Sequence, residues 1–571
     1  MKKKRRFKLI TLIILCALCI ASCAFLSVQH IGMKRIIYQN TRGDNISASY
    51  HSVQGAKAVM LVGDLGWDSG EMSVFSTSFI NMGYSVFVFE FPGTGFSAGT
   101  IPFHYNDGTF LAEQFYNALF VFSSTCSVPI RDIHIVAFGE GARAVLQTAR
   151  EGYIEPASLT LIATGIKLGG GRDFDVLNYT NDSRMEWIRS LKDSSITCPV
   201  MLIASALDEA STAEDSELLA EQLDMITIKT EVTNQVTVLP DPVKDAQGNV
   251  VQPPPETVTV TTISEQKRDP VTVKTVKWAL HPYMARSPEV LDEATSFIAS
   301  LDRKDVPSLT AVKLIPLIRI LVLPLAAAVM ALYALILRDR EKYDTARVRQ
   351  VAQMPEGLMK RKTAISVFAI PFAAAMAVLV YFLSSRVAYN AMISSAMFAS
   401  NGLLCFLLYL FTDLGRGMEG GLGEKEETHL LKPTVCFASA CAFLGLLSLL
   451  GMGNYLSVNE NWLARAALTA VFAMVFYADG MERRKAAFTS KEKRKILAVN
   501  YYSFLLYPLL TAAIGDFSTA AGCFGYIMAL VMTLLLGELL EHFKAPAALR
   551  AVYMGFFFQM SAFARLVIFI K

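Results

Sequence analysis

From about residue 313 onward the chain is a succession of apolar runs, and this feature constrains its fold more than any other. A helix needs roughly 17–25 apolar residues to cross a bilayer. Eight runs reach that length, near 314–337, 364–384, 391–412, 433–453, 463–479, 496–515, 518–540 and 549–570. The composition agrees. Of 571 residues, 53% are hydrophobic and 18% charged, against about 25% charged in soluble domains. A wholly soluble, disordered or fibrous chain is excluded. The formal net charge of +3 gives no electrostatic case for nucleic acid.

The connections between the runs alternate in charge. Arg338 to Lys342 with Lys360 to Lys362, then Arg416, Lys425 and Lys432, then Arg483 to Lys485 with Lys491 to Lys495, then Lys544 and Arg550, make every second connection basic. The others hold Arg386 alone, or no Lys or Arg at all, as between Gly453 and Trp462. The positive-inside rule then predicts a multi-pass plasma-membrane protein of bacterial type with residues 30–312 outside the cytoplasm. At the amino terminus the basic cluster Lys2 to Lys8 precedes an uncharged run, Leu9 to Leu26. That is a signal anchor, or a lipoprotein-type signal read on Ile20-Ala21-Ser22-Cys23. The expected division is therefore 1–30 as signal or anchor, 31–305 as an external domain, and 306–571 as a transmembrane domain of about eight helices. Within the membrane half, Arg319, Asn401, Arg465, Glu538, Gln559 and Arg565 lie in or near spans. Snorkelling at span ends accounts for several. Gln559 with Arg565 is the best candidate for a functional pair.

Between the anchor and the spans, short β-rich runs alternate with amphipathic stretches. Lys57–Val62, Tyr84–Glu90, Asp132–Phe138, Ser158–Ala163, Pro199–Ala204 and Val271–Trp278 read as strands. About 71–82, 107–123, 140–150 and 212–223 read as helices. That alternation predicts an α/β domain with a mostly parallel sheet, and ligands at the carboxyl ends of its strands. Chemistry-bearing residues fall there. Gly63-Asp64-Leu65-Gly66 follows the first run, and Gly93-Thr94-Gly95-Phe96-Ser97 the second. Gly139-Glu140-Gly141 follows the third. Ser205 to Glu209 follows the fifth, and His281-Pro282 the last.

In order and spacing this set resembles the α/β-hydrolase superfamily over nearly all of residues 31–305. The resemblance implies a catalytic nucleophile at a strand-to-helix elbow, a His as base and an acid that orients it. Asp208 stands at the acid position, His281 at the base position and Gly139 at the nucleophile position. Glycine forms no acyl-enzyme. The main-chain N–H groups of Asp64 and Glu140, with Gly63 and Gly66, line the expected oxyanion hole, although both carboxylates would oppose an anion there.

Three readings remain open. The domain is a degenerate hydrolase that binds a ligand or envelope partner. Alternatively it is an active ester, acyl or peptide hydrolase, using His281 and Asp208 with Ser69, Thr94, Ser97, Ser205 or water. Or the bundle is a transporter and the domain an accessory. A cation held by Asp64, Glu140, Asp208 and Glu209 is a lesser alternative. No cofactor or metal is expected, since the nine cysteines show no ligand spacing. Membrane lipid is an expected partner. Residues 226–262 predict a β-hairpin insertion offering a partner surface, and Gly169 to Thr197 only a small lid. Cys126 and Cys198, before strands on one sheet edge, are a candidate disulfide.

Overall fold

The structure is a computed structural model. It describes residues 2–27, 32–102, 109–164, 181–194, 196–208, 211–238, 243–244, 250–251, 256–267, 270–306, 310–344, 367, 371–373, 375, 390–411, 430–449, 462–485, 490–513, 515, 517–562 and 569–570.

Eight strands form one sheet: β1 (Lys34–Gln39), β2 (Asn45–His51), β3 (Ala58–Val62), β4 (Ser85–Phe89), β5 (Ile133–Phe138), β6 (Ser158–Ile162), β7 (Val200–Ser205) and β8 (Thr272–Val276). Their order is β1-β2-β4-β3-β5-β6-β7-β8. β2 runs antiparallel to both its neighbours, β1 and β4; β3 to β8 are parallel to one another. The six parallel strands fall within a residue or two of the sequence-expected runs. In β3 to β7 a mostly continuous apolar character follows from burial on both faces, whereas β8, at the sheet edge, buries only Val276. The register brings Val62, Phe89 and Ala137 level, so the loops after β3, β4 and β5 open at one edge.

Helices cover both faces. Val59 and Leu61 of β3 pack with Phe75 and Phe79 of α2 (Ser73–Asn81) and Leu291 of α7 (Pro288–Asp302). Met60 and Val62 face Phe115 of α3 (Thr109–Cys126) and Leu146 of α4 (Gly139–Arg150). Each fully buried Leu, Val or Phe contributes about 1.5–3 kcal/mol. Further along, α5 (Asn181–Ser190) docks on α4, Trp187 Nε1 donating to Gln147 Oε1 at 2.6 Å. Local signals set the helix starts. Thr212 and Asp215 form a reciprocal capping box on α6 (Ala213–Asp224). Ser287 caps α7 ahead of Pro288, and Arg303 ends it in the left-handed region.

The insertion between α6 and β8 is an antiparallel pair, Thr227–Val238 with Glu256–Lys267, outside the main sheet. Its second strand runs five residues past the expected limit of 262. Cys126 is a free thiol, so the candidate disulfide to Cys198 is not formed. Of the expected lid, Gly169 to Thr197, residues 169–180 and 195 lie outside the described residues, and the rest holds α5 and a 3-10 turn, Leu191–Asp193.

The carboxy-terminal half is helical: α8 (Thr310–Asp344), α9 (Asn390–Phe411), α10 (Leu431–Leu449), α11 (Trp462–Lys485), α12 (Ser490–Ala513), α13 (Phe517–Gly522), α14 (Phe524–His542) and α15 (Ala547–Ala562). These fall on seven of the eight apolar runs, and most of 364–384 lies outside the described residues. The last run does not stay helical to 570. Its helix is described to Ala562, and Phe569–Ile570 pairs with Ile101–Pro102 of the α/β domain. By length and hydropathy, four described helical segments suffice to cross a membrane: Arg6–Ser27, Val312–Leu337, Leu431–Ser448 and Ala520–His542. The amino-terminal helix α1 (Lys2–Ser27) packs along α8, with Cys23 and Leu26 buried. One face of the α/β core runs without a break into the bundle's aromatic centre, where Phe398 meets Phe472, Tyr501, Phe504 and Phe558.

Candidate functional site

The turn from β5 into α4 is the sharp elbow that the sequence predicts. Gly139 takes φ +51°, a conformation that disfavours any side chain. Gly141 follows because α4 meets the β3 loop there, where a Cβ would strike the Gly63 carbonyl. Across this elbow stands His281, the first residue of a 3-10 turn, His281–Arg286. Its Nδ1 lies 2.8 Å from Asp208 Oδ2, and Asp208, fully buried, also accepts from Ser211 N–H at 3.0 Å. The expected acid and base are thus joined.

The unexpected member is Asp64. Its Oδ1 accepts from its neighbour Leu65 N–H at 2.8 Å and from Glu140 N–H at 2.9 Å. Its Oδ2 lies 3.4 Å from His281 Nε2. The main-chain donor pair is therefore Leu65 and Glu140, where Asp64 and Glu140 were expected, and the Asp64 side chain already fills it. The vacant side-chain position of Gly139 makes this possible, since a Cβ there would collide with all three carboxylate atoms of Asp64. The Glu140 carboxylate turns instead to Arg143, at 2.8 Å.

Burial opposes a charge on His281, but its contacts with Asp208 and Asp64 outweigh this and raise its pKa to about 10. At neutral pH it is an imidazolium held between two carboxylates and has no free lone pair with which to act as base.

Of the hydroxyls weighed as substitute nucleophiles, those of Thr94, Ser97 and Ser205 serve the local backbone. Thr94 Oγ1 donates to Phe91 C=O, and Ser97 Oγ donates to Glu90 C=O while accepting from Ser47 N–H. Ser205 Oγ accepts from Leu207 N–H. Ser69 presents its N–H to Glu90 Oε1 at 2.9 Å. Gly66, at φ +83°, shapes the turn after Asp64. Glu90 is buried at the end of β4 and ties Ser69 and Phe96 N–H groups together. Burial, aided by nearby Asp68, pushes its carboxyl up to about 7. Glu209 and Arg565 lie outside the described residues.

Both loops of the site continue into contacts with the bundle. Beyond Asp64, Gly70 C=O and Ser73 Oγ accept from Arg319, a buried residue of α8. Beyond His281, Tyr283 O–H donates to Ala521 C=O of α13 at 2.9 Å, and Arg286 forms a forked ion pair with buried Glu71. Arg319 is therefore not snorkelling: its partners belong to the α/β domain. Gln559 is buried in α15, and its Nε2 finds no partner among the described residues. Sequence reasoning overlooked Asp479, which is buried and accepts from Asn500 and Tyr501 at 2.6 and 3.0 Å. The one signal for it in the sequence is a lone carboxylate at the end of an apolar run.

Strand order, elbow and the acid–base pair define an α/β-hydrolase-like domain joined to a helical bundle with candidate membrane spans. No protein-family model matches the chain, and no curated protein matches it. Among solved structures it is similar to an esterase of Pyrococcus furiosus, at 14% identity, TM-score 0.33, covering 48% of this chain and 91% of that one. It is also similar to the mouse α/β-hydrolase domain-containing protein 10, at 13% identity and TM-score 0.30, covering 47% and 98%. A third is a membrane phospholipase A described as a bacterial virulence factor, at 14% identity and TM-score 0.31, covering 51% and 92%. The fold assignment rests on this chain's own strand order and elbow.

Proposed function

We propose that the external domain is a recognition module on a multi-pass envelope membrane protein, its hydrolase site closed to serine-type chemistry by an internal carboxylate. One observation carries the reading: Asp64 lies in the main-chain donor pair, in space that a side chain at position 139 would need. A substrate carbonyl would have to displace it before any oxyanion could form there. The ligand or envelope partner would be met at the site's loops or at the 227–267 hairpin. α1 serves as an uncleaved anchor, and the α/β domain faces away from the cytoplasm. Supporting this topology, Arg319, Ala521 and Phe569 meet the domain, whereas the basic connections lie at the other ends of the helices.

The test uses the full-length protein in lipid vesicles with a fluorophosphonate probe and an ester panel. Wild type is expected to show neither labelling nor turnover above His281→Ala. The pair Asp64→Gly with Gly139→Ser is expected to label, and to lose labelling when His281→Ala is added. Turnover by wild type that depends on His281 overturns the reading.

A second reading is favoured by the 3.4 Å approach of Asp64 Oδ2 to His281. Asp64 would itself attack an electrophilic carbon, forming an ester, while His281 gives its Nε2 proton to the departing leaving group. The neutral His281 then deprotonates a water that attacks the ester carbonyl, with Oδ1 held by the two N–H groups, and returns that proton to the alcohol oxygen as it leaves Asp64. Water labelled with oxygen-18 would then deposit the isotope in the Asp64 peptide during single turnover.

A further inference from the structure

A cavity of about 960 Å³ lies in the bundle. Its walls come from five helices, with Cys19 and Cys23 of α1, Met330 of α8, Ala440 of α10, Leu536 of α14 and Phe557 of α15 among them. The four segments apolar enough to span a membrane all contribute, which places the cavity in the lipid-embedded part. Among the described residues its lining carries one cation, Lys432, in the first turn of α10. That side chain is exposed, and no carboxylate pairs with it among the described residues.

An apolar wall of this extent gains little from water and forfeits dispersion contacts when empty. Its natural filler is hydrocarbon, and the surrounding medium supplies it. A charge at the end of a span sits at headgroup depth, where an exposed ammonium attracts a phosphate. We propose that the cavity binds one acyl chain of an anionic phospholipid, with the headgroup phosphate on Lys432. The site belongs to the bundle and stands whether or not the external domain is catalytic.

The experiment uses full-length protein in phosphatidylcholine vesicles containing either phosphatidylglycerol or phosphatidylcholine with a diazirine in one acyl chain. After irradiation, adducts are mapped by peptide mass spectrometry. Adducts are expected on Cys16–Ser27 and Val435–Phe443, about fivefold more from the anionic probe. Lys432→Ala should equalise the two probes. Ala440→Trp, which fills the cavity, should lower adduct on both peptides severalfold at unchanged melting temperature. If that variant melts early, Ser439→Phe replaces it. Adducts spread evenly over the helices, or indifferent to both kinds of substitution, overturn the proposal. So does equal labelling by a diazirine fatty acid without a phosphate.

Discussion

At Gly139 two restraints act on any side chain: the backbone φ of +51° and the carboxylate of Asp64. They are separable. Gly139→Ala should destabilise the fold by about 2–5 kcal/mol, the sum of left-handed strain and overpacking. In an Asp64→Ala background the same change should cost only about 1–2 kcal/mol, the strain alone. Chemical denaturation of the four proteins measures the coupling, and additive costs would show that the two residues do not share space. His281 gives a second prediction at this scale. Its pKa is raised from 6.5 to about 10, so its contribution to stability is complete below pH 6.5 and lost as pH rises toward 10. Glu90, a carboxyl raised to about 7, also disfavours the fold as pH rises, but between about 4.5 and 7. Asp64→Asn should therefore flatten the decline in melting temperature above pH 7 and leave the lower window unchanged. The vacant nucleophile position was legible in the sequence. That Asp64 would fill the donor pair was not, because the direction of a side chain in a tight loop depends on what the neighbouring strand leaves empty.

Five of the six parallel strands were legible because strands buried on both faces read as unbroken apolar runs, and the edge strand β8 was legible from its β-branched residues. β1 and β2 were not. Lys34–Gln39 lies at the sheet edge with an exposed or half-exposed side chain at every position, so its sequence carries little of the burial signal. The hairpin was legible from its Val/Thr content and turn residues, but polar residues to Lys267 hid its full length. At about 3.4 Å per residue, its twelve-residue strands make an arm about 40 Å long. Because it pairs only with itself, replacing residues 228–266 by a short Gly/Ser linker should leave the main sheet intact. The expected result is a melting temperature within about 4 °C of wild type, a change of less than ~1 kcal/mol. A collapse in stability would show that the arm is part of the core. For α1, intact mass and amino-terminal sequencing test retention. The expected chain keeps residues 2–22 and carries no lipid on Cys23, because cleavage would remove the helix that packs along α8.

On the scale of the whole molecule, both halves of the site are fastened to the bundle. The Asp64 loop ends on Arg319 and the His281 turn ends on Ala521, with the Glu71–Arg286 fork linking the two. Sequence alone showed an arginine in a span; its partner came from a loop almost 250 positions away, which only the tertiary fold brings near. A buried guanidinium that loses its acceptors is costly, and so are acceptors that lose their donor, at about 1–3 kcal/mol each. Arg319→Met should therefore loosen residues 64–73 without unfolding the sheet. Hydrogen exchange on the full-length protein should show protection in that loop falling about tenfold, roughly 1.4 kcal/mol, while β5 and β6 keep theirs. Tyr283→Phe removes one neutral hydrogen bond, and the expected loss around 281–286 is smaller, about 1 kcal/mol or less. If the loop's exchange ignores Arg319, the bundle does no more than tether the domain, and a ligand at the site has no mechanical route through Arg319 into the membrane. If it responds, occupancy at Asp64 and the packing of α8 belong to one equilibrium, and any ligand that displaces Asp64 must also shift the bundle by its differential affinity for the two states.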